Sequence, residues 1–432
     1  MVDVAIVGAG AAGLATAIFT CRLDSGVTVA LLDGATKPGA KILVSGGSRC
    51  NVTNTTVTEA DFQGGRRAII RRILRAFPVP DTIAFFDEIG VPLHEEAGGK
   101  LFPDSHRSRD VLDALLREAA ARGTPVQTGH RVHAIERTAD GFRLTTSQGP
   151  LAARAVVLAT GGRSLPKSGS DGAGLDMAGA LGHTIVPTTP ALVPMVLAPG
   201  AEAIHERLSG VALEAELTLR VGGAVTIRLR GALLWTHFGI SGPVALDMSR
   251  HWLRARLDGH PAALTASFCP GESFDALDAR WTRLAAERPK ASLHNTLAGF
   301  LPASMASVLL DRLALAPDTP LAHLSRDARR RLVHALVEWP LEVTGTRGYA
   351  YAEVTAGGVA LEEINPSTLE SRVCPGLFLV GEVLDVDGRI GGFNFQWAWS
   401  SAYVAARGLA RRRARHMIAS RPPAAGPDDA VS

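Results

Sequence analysis

Between an apolar run at residues 2–7 (VDVAIV) and a helix-forming run at 14–23 (LATAIFTCRL) stands Gly8-Ala9-Gly10-Ala11-Ala12-Gly13. A second apolar run, VTVALLD, comes next and ends at Asp33. Few sequence features restrict a fold as tightly as this one. Gly8 permits the tight turn from strand to helix. Gly10 lets a backbone approach a pyrophosphate, and Gly13 lets helix and strand pack closely. The helix start presents N–H groups and the positive end of its dipole to phosphate. Asp33 is placed to accept hydrogen bonds from a ribose diol. The spacing predicts a β–α–β unit that binds a dinucleotide through Gly8, Gly10, Ala11, Ala12, Gly13 and Asp33, in an α/β chain.

Two other strand ends carry similar marks. The run at 155–162, AVVLATGG, ends in Thr160-Gly161-Gly162, and GLFLVGE at 376–382 ends in Gly381-Glu382. A glycine-rich loop comes after the second, and then the helix-forming WAWSSAYVAARGLARRR. This arrangement resembles flavoproteins with two dinucleotide-binding domains. The resemblance implies that Glu382 faces the ribitol of FAD and that a helix start with Gly392, Phe393, Asn394 and Gln396 faces the flavin; Asn394 and Gln396 are candidates to bond the flavin, to cap the helix or to do both, and Asp387 to bind flavin or to shape the loop. Val132 joins the implied cofactor set. The sequence holds no second GxGxxG, so any NAD(P)H is expected to bind only transiently, or another donor reduces the flavin.

A longer segment narrows the resemblance. Residues 39–54 read GAKILVSGGSRCNVTN, residues 234–243 read LWTHFGISGP, and VTAGGV stands at 354–359. These motifs resemble the bacterial three-domain flavoprotein family that includes aminoacetone oxidase, a bile-acid dehydro-reductase and a ribosomal RNA dihydrouridine synthase. The resemblance covers roughly residues 1–415. It implies a Rossmann-like two-dinucleotide-binding-domain flavoprotein fold with an inserted β-barrel-like domain and a helical subdomain. The flavin domain would span 1–190 and 350–420, the β-rich insertion 191–270 and 339–349, and the helical part 271–338. A disordered tail is expected at 421–432. The family has three glycines before Arg-Cys-Asn, whereas this chain has Ser48 third. A left-handed backbone at that position would cost a serine about 1 kcal/mol or more.

The same loop supplies further candidates. Lys41 and Arg49 can neutralise pyrophosphate or flavin charge, with Ser45, Gly46, Gly47 and Asn51 beside the cofactor. Cys50 is a candidate acid next to the flavin, or a buried inert thiol. His237 is a candidate proton donor or substrate ligand, or a turn-stabilising residue, and Glu353 a candidate that faces substrate. The expected activity is hydride transfer from flavin N5 to an activated C=C bond, in ribosomal RNA uridine or a small enone. An amine oxidase of the aminoacetone oxidase type and a non-catalytic flavin sensor are the alternatives.

Composition matters mainly for the partner. Arginine-rich runs at 66–75, 327–332 and 407–415 could touch RNA phosphates. However, 45 basic residues face 42 acidic ones, and aromatics are only 5%, which favours solvated helix faces. The four cysteines form no CxxC pair, so no metal site is expected from spacing, and they suit a reducing, cytoplasmic setting. No apolar run is long enough to suggest a membrane span.

Overall fold

The structure is a computed structural model and describes residues 1–200 and 203–419. The expected tail at 421–432 lies outside the described residues. The chain divides into two compact units. One comprises Met1–Gly162, Pro166–Pro187 and the chain from Gly357 onward; the other comprises Arg163–Leu165 and Thr188–Ala356.

The first unit is built on a seven-stranded sheet. Strand β1 (Val2–Val7) pairs in parallel with β2 (Val29–Leu32) on one side and with Gly149–Leu158 on the other. The last residues of Gly149–Leu158 pair in parallel with Leu377–Leu379, while its first half pairs antiparallel with Gly141–Thr146. Val4, Ala5, Ile6 and Val7 are all buried in succession. Such an unbroken apolar run is what a parallel strand covered on both faces needs. Burial of one such Ile or Val stabilises the fold by about 1.5–3 kcal/mol.

Helix α1 (Ala11–Leu23) is buried from Ala12 through Cys21. A helix apolar all round belongs inside a core, and this one lies against the long C-terminal helix Phe393–Ala419, where Phe19 meets Tyr403 edge to face at 5.5 Å. Strand register aligns the loops that leave the sheet. Val7 pairs with Leu158, and Leu158 with Leu379, so the strands end level. Gly8, Thr160-Gly161 and Gly381 therefore leave the sheet along one edge. In open parallel sheets that carboxyl edge is where ligands bind.

The second unit holds a seven-stranded antiparallel path. Its long hairpin joins Ala212–Val221 to Ala224–Thr236. The first and last strands of the path, Trp339–Leu341 and Val343–Thr346, are separated in sequence by Glu342 alone. That short link draws the two edges of the sheet together, giving a barrel-like curl. The helices Phe274–Glu287, Ala303–Arg312 and Arg326–Val337 share one core with this sheet through Trp281, Met305, Leu332 and Trp235.

Among the described residues no helix is long and apolar enough to cross a membrane. The arginine-rich run at 66–75 forms the helix Arg67–Ala76, which buries Ile70, Ile73 and Leu74 and exposes Arg67, Arg71, Arg72 and Arg75. In the C-terminal run, Arg412 pairs with Glu370 at 2.6 Å and Arg413 with Asp24 at 2.6 Å.

Candidate functional site

The glycine loop takes its shape from backbone contacts that only hydrogen at Cα allows. Gly8 has φ +101°, and a Cβ there would lie 2.5 Å from the Ala159 carbonyl oxygen. A Cβ on Gly13 would fall 1.8 Å from the Gly8 carbonyl oxygen. Gly10 differs, because a Cβ there meets nothing within 4 Å. Open space thus lies in front of the α1 N-terminus, and no side chain caps that helix end. Uncapped N–H groups beside open space fit the pyrophosphate of a dinucleotide.

Asp33 closes the loop from the next strand. Its Oδ2 accepts from the Ala9 N–H at 2.7 Å and its Oδ1 from the Ala35 N–H at 2.8 Å. The carboxylate therefore pins the loop and still keeps lone pairs for a ribose diol.

Lys41 and Glu382 converge on the same edge. Lys41 Nζ lies 2.7 Å from Glu382 Oε2 and donates to Ser170 Oγ at 3.1 Å. A Cβ on Gly161 would lie 2.6 Å from Ser170 Oγ and 3.8 Å from Lys41 Nζ. The Gly381 N–H donates to Ser401 Oγ at 3.0 Å, and its carbonyl accepts from Trp397 Nε1 at 3.1 Å. A Cβ on Gly381 would meet the Ala12 methyl at 2.9 Å. Gly8–Gly13, Thr160–Gly162, Lys41 and Gly381–Glu382 thus form one constellation. Ser170, Trp397 and Ser401 belong to its support. Sequence reasoning missed them because Ser170 lies 129 positions from Lys41, and Trp397 and Ser401, 16 and 20 positions from Gly381, carry no motif that marks the contact.

The segment 39–54 is less purely a loop than its glycines imply. Ala40 to Val44 start a helix, led by Gly39 at φ +76°. Ser45 then leaves helical geometry, and Gly46, Gly47, Ser48 and Cys50 have φ of +55°, +67°, +66° and +64°. Ser48 therefore does occupy the left-handed conformation that glycine favours. Ser48→Gly should stabilise the protein by about 0.5 kcal/mol, the relief of strain being partly offset by the greater freedom of glycine in the unfolded chain. A rise in denaturation midpoint checks this, and a fall contradicts it.

Arg49 is committed to protein groups. Its Nη1 lies 2.6 Å from Glu96 Oε1, and its guanidinium stacks 4.2 Å from the Phe102 ring centre. Asn51 is buried. With its amide nitrogen turned to the carbonyls it donates to Thr53 at 2.8 Å and Leu101 at 3.3 Å, while its oxygen accepts from the Gly392 N–H at 3.0 Å. Cys50 is fully enclosed, and burial pushes its thiol up to about 12 against a hydrogen bond from Ser45.

At the start of the C-terminal helix the side chain of Gln396, one of the expected flavin contacts, is bonded to protein groups. Its Oε1 accepts from Thr53 at 2.6 Å and Thr82 at 3.0 Å. Its Nε2 donates to the Phe77 carbonyl at 3.0 Å and Ser400 Oγ at 3.1 Å. Those bonds exhaust an amide side chain, so it has nothing left for a flavin. Asn394 pins the preceding loop, accepting from the Gly388 N–H at 2.8 Å and donating to its carbonyl at 2.9 Å. Gly392 packs against Thr53, whose oxygen would lie 2.4 Å from a Cβ there. Phe393 and Asp387 are buried, and Val132 begins the buried side of the strand Val132–Thr138.

In the second unit His237 is exposed in the turn between Ala224–Thr236 and Gly239–Ser241, against Phe238. Glu353 is exposed; its N–H donates to the Leu192 carbonyl and its carbonyl accepts from Ser164 Oγ.

The chain is 32% identical over 411 residues to a 3-dehydro-bile acid delta(4,6)-reductase of Clostridium scindens, covering 95% of this chain and 99% of the relative. It is 34% identical over 410 residues to a ribosomal RNA dihydrouridine synthase of Escherichia coli, covering 94% and 98%. Among solved structures, 3-ketosteroid delta1-dehydrogenase of Sterolibacterium denitrificans superposes with a TM-score of 0.50 at 14% identity, covering 95% of this chain and 99% of that one, a likeness of fold alone. Residues 2–408 match the family described as HI0933-like protein Rossmann domain, and the chain belongs to that family.

Proposed function

We propose that the protein is an FAD-dependent reductase that saturates a C=C bond conjugated to a carbonyl, with uridine in ribosomal RNA as first candidate substrate and a small enone as second. The observation that carries this reading is the end-to-end similarity to two relatives whose names describe that same change. Formation of dihydrouridine and reduction of a Δ4,6 steroid bond both add a hydride and a proton across a conjugated double bond.

When bound, FAD supplies the hydride at N5. The chain's own residues do the holding. The open N-terminus of α1 and the Gly8–Gly13 loop take the pyrophosphate, and Asp33 takes the ribose. Glu382 faces the ribitol, with Lys41 balancing its charge. NAD(P)H, bound transiently, or another donor restores reduced FAD. The Cys50 thiol is neutral and enclosed in the core, so in this reading it packs and does not deliver the proton. His237 and Glu353 remain the proposals for proton delivery. A cytoplasmic setting suits an RNA substrate and four unpaired thiols.

The test is the dihydrouridine content of ribosomal RNA from cells with and without the gene, by nucleoside mass spectrometry. Loss on deletion, restored by the intact gene, supports the RNA substrate. Cys50→Ala should restore it within about threefold, while lowering stability by about 1–2 kcal/mol as buried volume is lost. Failure of a folded, FAD-loaded Cys50→Ala protein would return the cysteine to catalysis. Unchanged dihydrouridine on deletion removes RNA as substrate and leaves the small enone, assayed by NAD(P)H consumption.

A further inference from the structure

We propose that His94, Glu96 and His106 form a binding site for a divalent transition-metal ion, zinc in first place, with Asp104 orienting His94. The spacing of these residues resembles no metal motif, so the site exists only through the fold. Among the described residues this is the one group of three or more such side chains whose ligand atoms lie close enough together to hold a metal.

A β-hairpin makes the arrangement. Leu93–Glu96 pairs antiparallel with Lys100–Pro103, with His94 opposite Phe102 and Glu96 opposite Lys100. Residues two apart on a strand share a face, so His94 and Glu96 project together. After Pro103 the chain turns back. The His106 N–H donates to the Pro103 carbonyl at 2.8 Å, and His106 adopts φ +52°, uncommon for a residue with a side chain. The turn brings its imidazole to 4.5 Å from that of His94, centre to centre.

The distances suit a metal. His94 Nε2 lies 3.5 Å and His106 Nδ1 3.8 Å from Glu96 Oε1. Ligands bound at about 2.0–2.1 Å around a tetrahedral ion stand about 3.4 Å apart. His94 Nδ1 lies 3.1 Å from Asp104 Oδ1. A carboxylate there holds the proton on Nδ1 and turns the Nε2 lone pair toward Glu96, the usual support of a metal-bound histidine. Two imidazoles and one carboxylate are a donor set that zinc accepts, with a fourth position left for water. Nitrogen ligands disfavour magnesium and calcium. The side chains are 30%, 30% and 54% exposed for His94, Glu96 and His106, so an ion can reach them.

Arg49 is the competitor. Its guanidinium holds Glu96 Oε1, and a bound ion displaces it from that oxygen. Substitution of Arg49 should strengthen metal binding, which a merely polar surface cluster would not show.

The experiment is equilibrium dialysis of the FAD-loaded, chelator-stripped protein against Zn²⁺, with bound zinc counted by mass spectrometry. Uptake of one zinc per chain is expected, weakened about 30-fold or more by His94→Ala or by His106→Ala. Asp104→Asn should weaken it about tenfold, and Arg49→Met should tighten it several-fold. Circular dichroism and flavin content verify that each variant is folded. Absence of stoichiometric uptake overturns the proposal. So does uptake that survives both histidine substitutions, which would place the zinc elsewhere on the protein.

Discussion

Alanine at Gly10 should give a folded protein that no longer retains FAD, whereas alanine at Gly13 should damage the fold itself. The two glycines belong to one motif but meet different surroundings. Gly10 has φ −79° and ψ −168°, which any residue adopts, and a Cβ there meets no atom within 4 Å. The apoprotein should therefore keep its stability to within about 0.5 kcal/mol. The added methyl instead enters the space before the helix N-terminus, where a phosphate must come close to N–H groups. Loss of about 2–3 kcal/mol of binding, some 30- to 150-fold in Kd, is expected. A Cβ on Gly13 would sit 1.8 Å from a backbone oxygen of Gly8, and neither atom belongs to a flexible side chain. Relief requires the loop and helix to part, at a cost of several kcal/mol. Flavin absorbance and thermal unfolding of the purified variants check both. If Gly10→Ala retains FAD as the parent does, the pyrophosphate does not lie over this loop.

The parts of this site that could be read from sequence are those with short range. The strand, glycines, helix and Asp33 lie within the first 33 residues and each obeys a local rule of backbone or capping, so their order is enough to place them in one β–α–β unit. Ser48 in a left-handed turn was also legible, because neighbouring glycines mark the conformation. Long-range polar pairing was not. Arg49 lies on Glu96, and Lys41 on Glu382 across 341 positions, and nothing in either neighbourhood announces the partner. The hairpin that gathers His94, Glu96 and His106 escaped for the same reason. Their spacing fits no motif until the chain reverses after Pro103. Cys50 was open to two readings, an acid beside the flavin or a buried inert thiol. Its unusual neighbours suggested chemistry, but burial is a tertiary fact, and the core encloses it.

Gln396→Leu should destabilise the protein by about 2–4 kcal/mol and leave FAD affinity within about threefold. The residue sits at the helix start where a flavin contact was expected, so the two roles predict opposite results. As a flavin ligand, it would lose affinity on substitution with little change in stability. As found, its amide bonds four groups of the first unit: Thr53, Thr82, the Phe77 carbonyl and Ser400. Leucine of similar size fills the volume but accepts and donates nothing. The Phe77 carbonyl keeps a partner, since Ser400 Oγ donates to it at 2.8 Å. The hydroxyls of Thr53 and Thr82 lose the acceptor that Gln396 gives them, and both residues are fully buried, out of reach of bulk solvent. Buried donors left in that state cost about 1–3 kcal/mol each, with some relief from rotation of the hydroxyls toward other oxygens. Chemical denaturation of the apoprotein measures the stability term, and FAD titration at a temperature where the variant stays folded measures the other. A stable variant with weakened FAD binding would reverse the assignment and put the amide back at the flavin. A destabilised variant with normal binding means that Gln396 serves the cofactor only by fixing the helix against Thr53, Thr82 and Phe77.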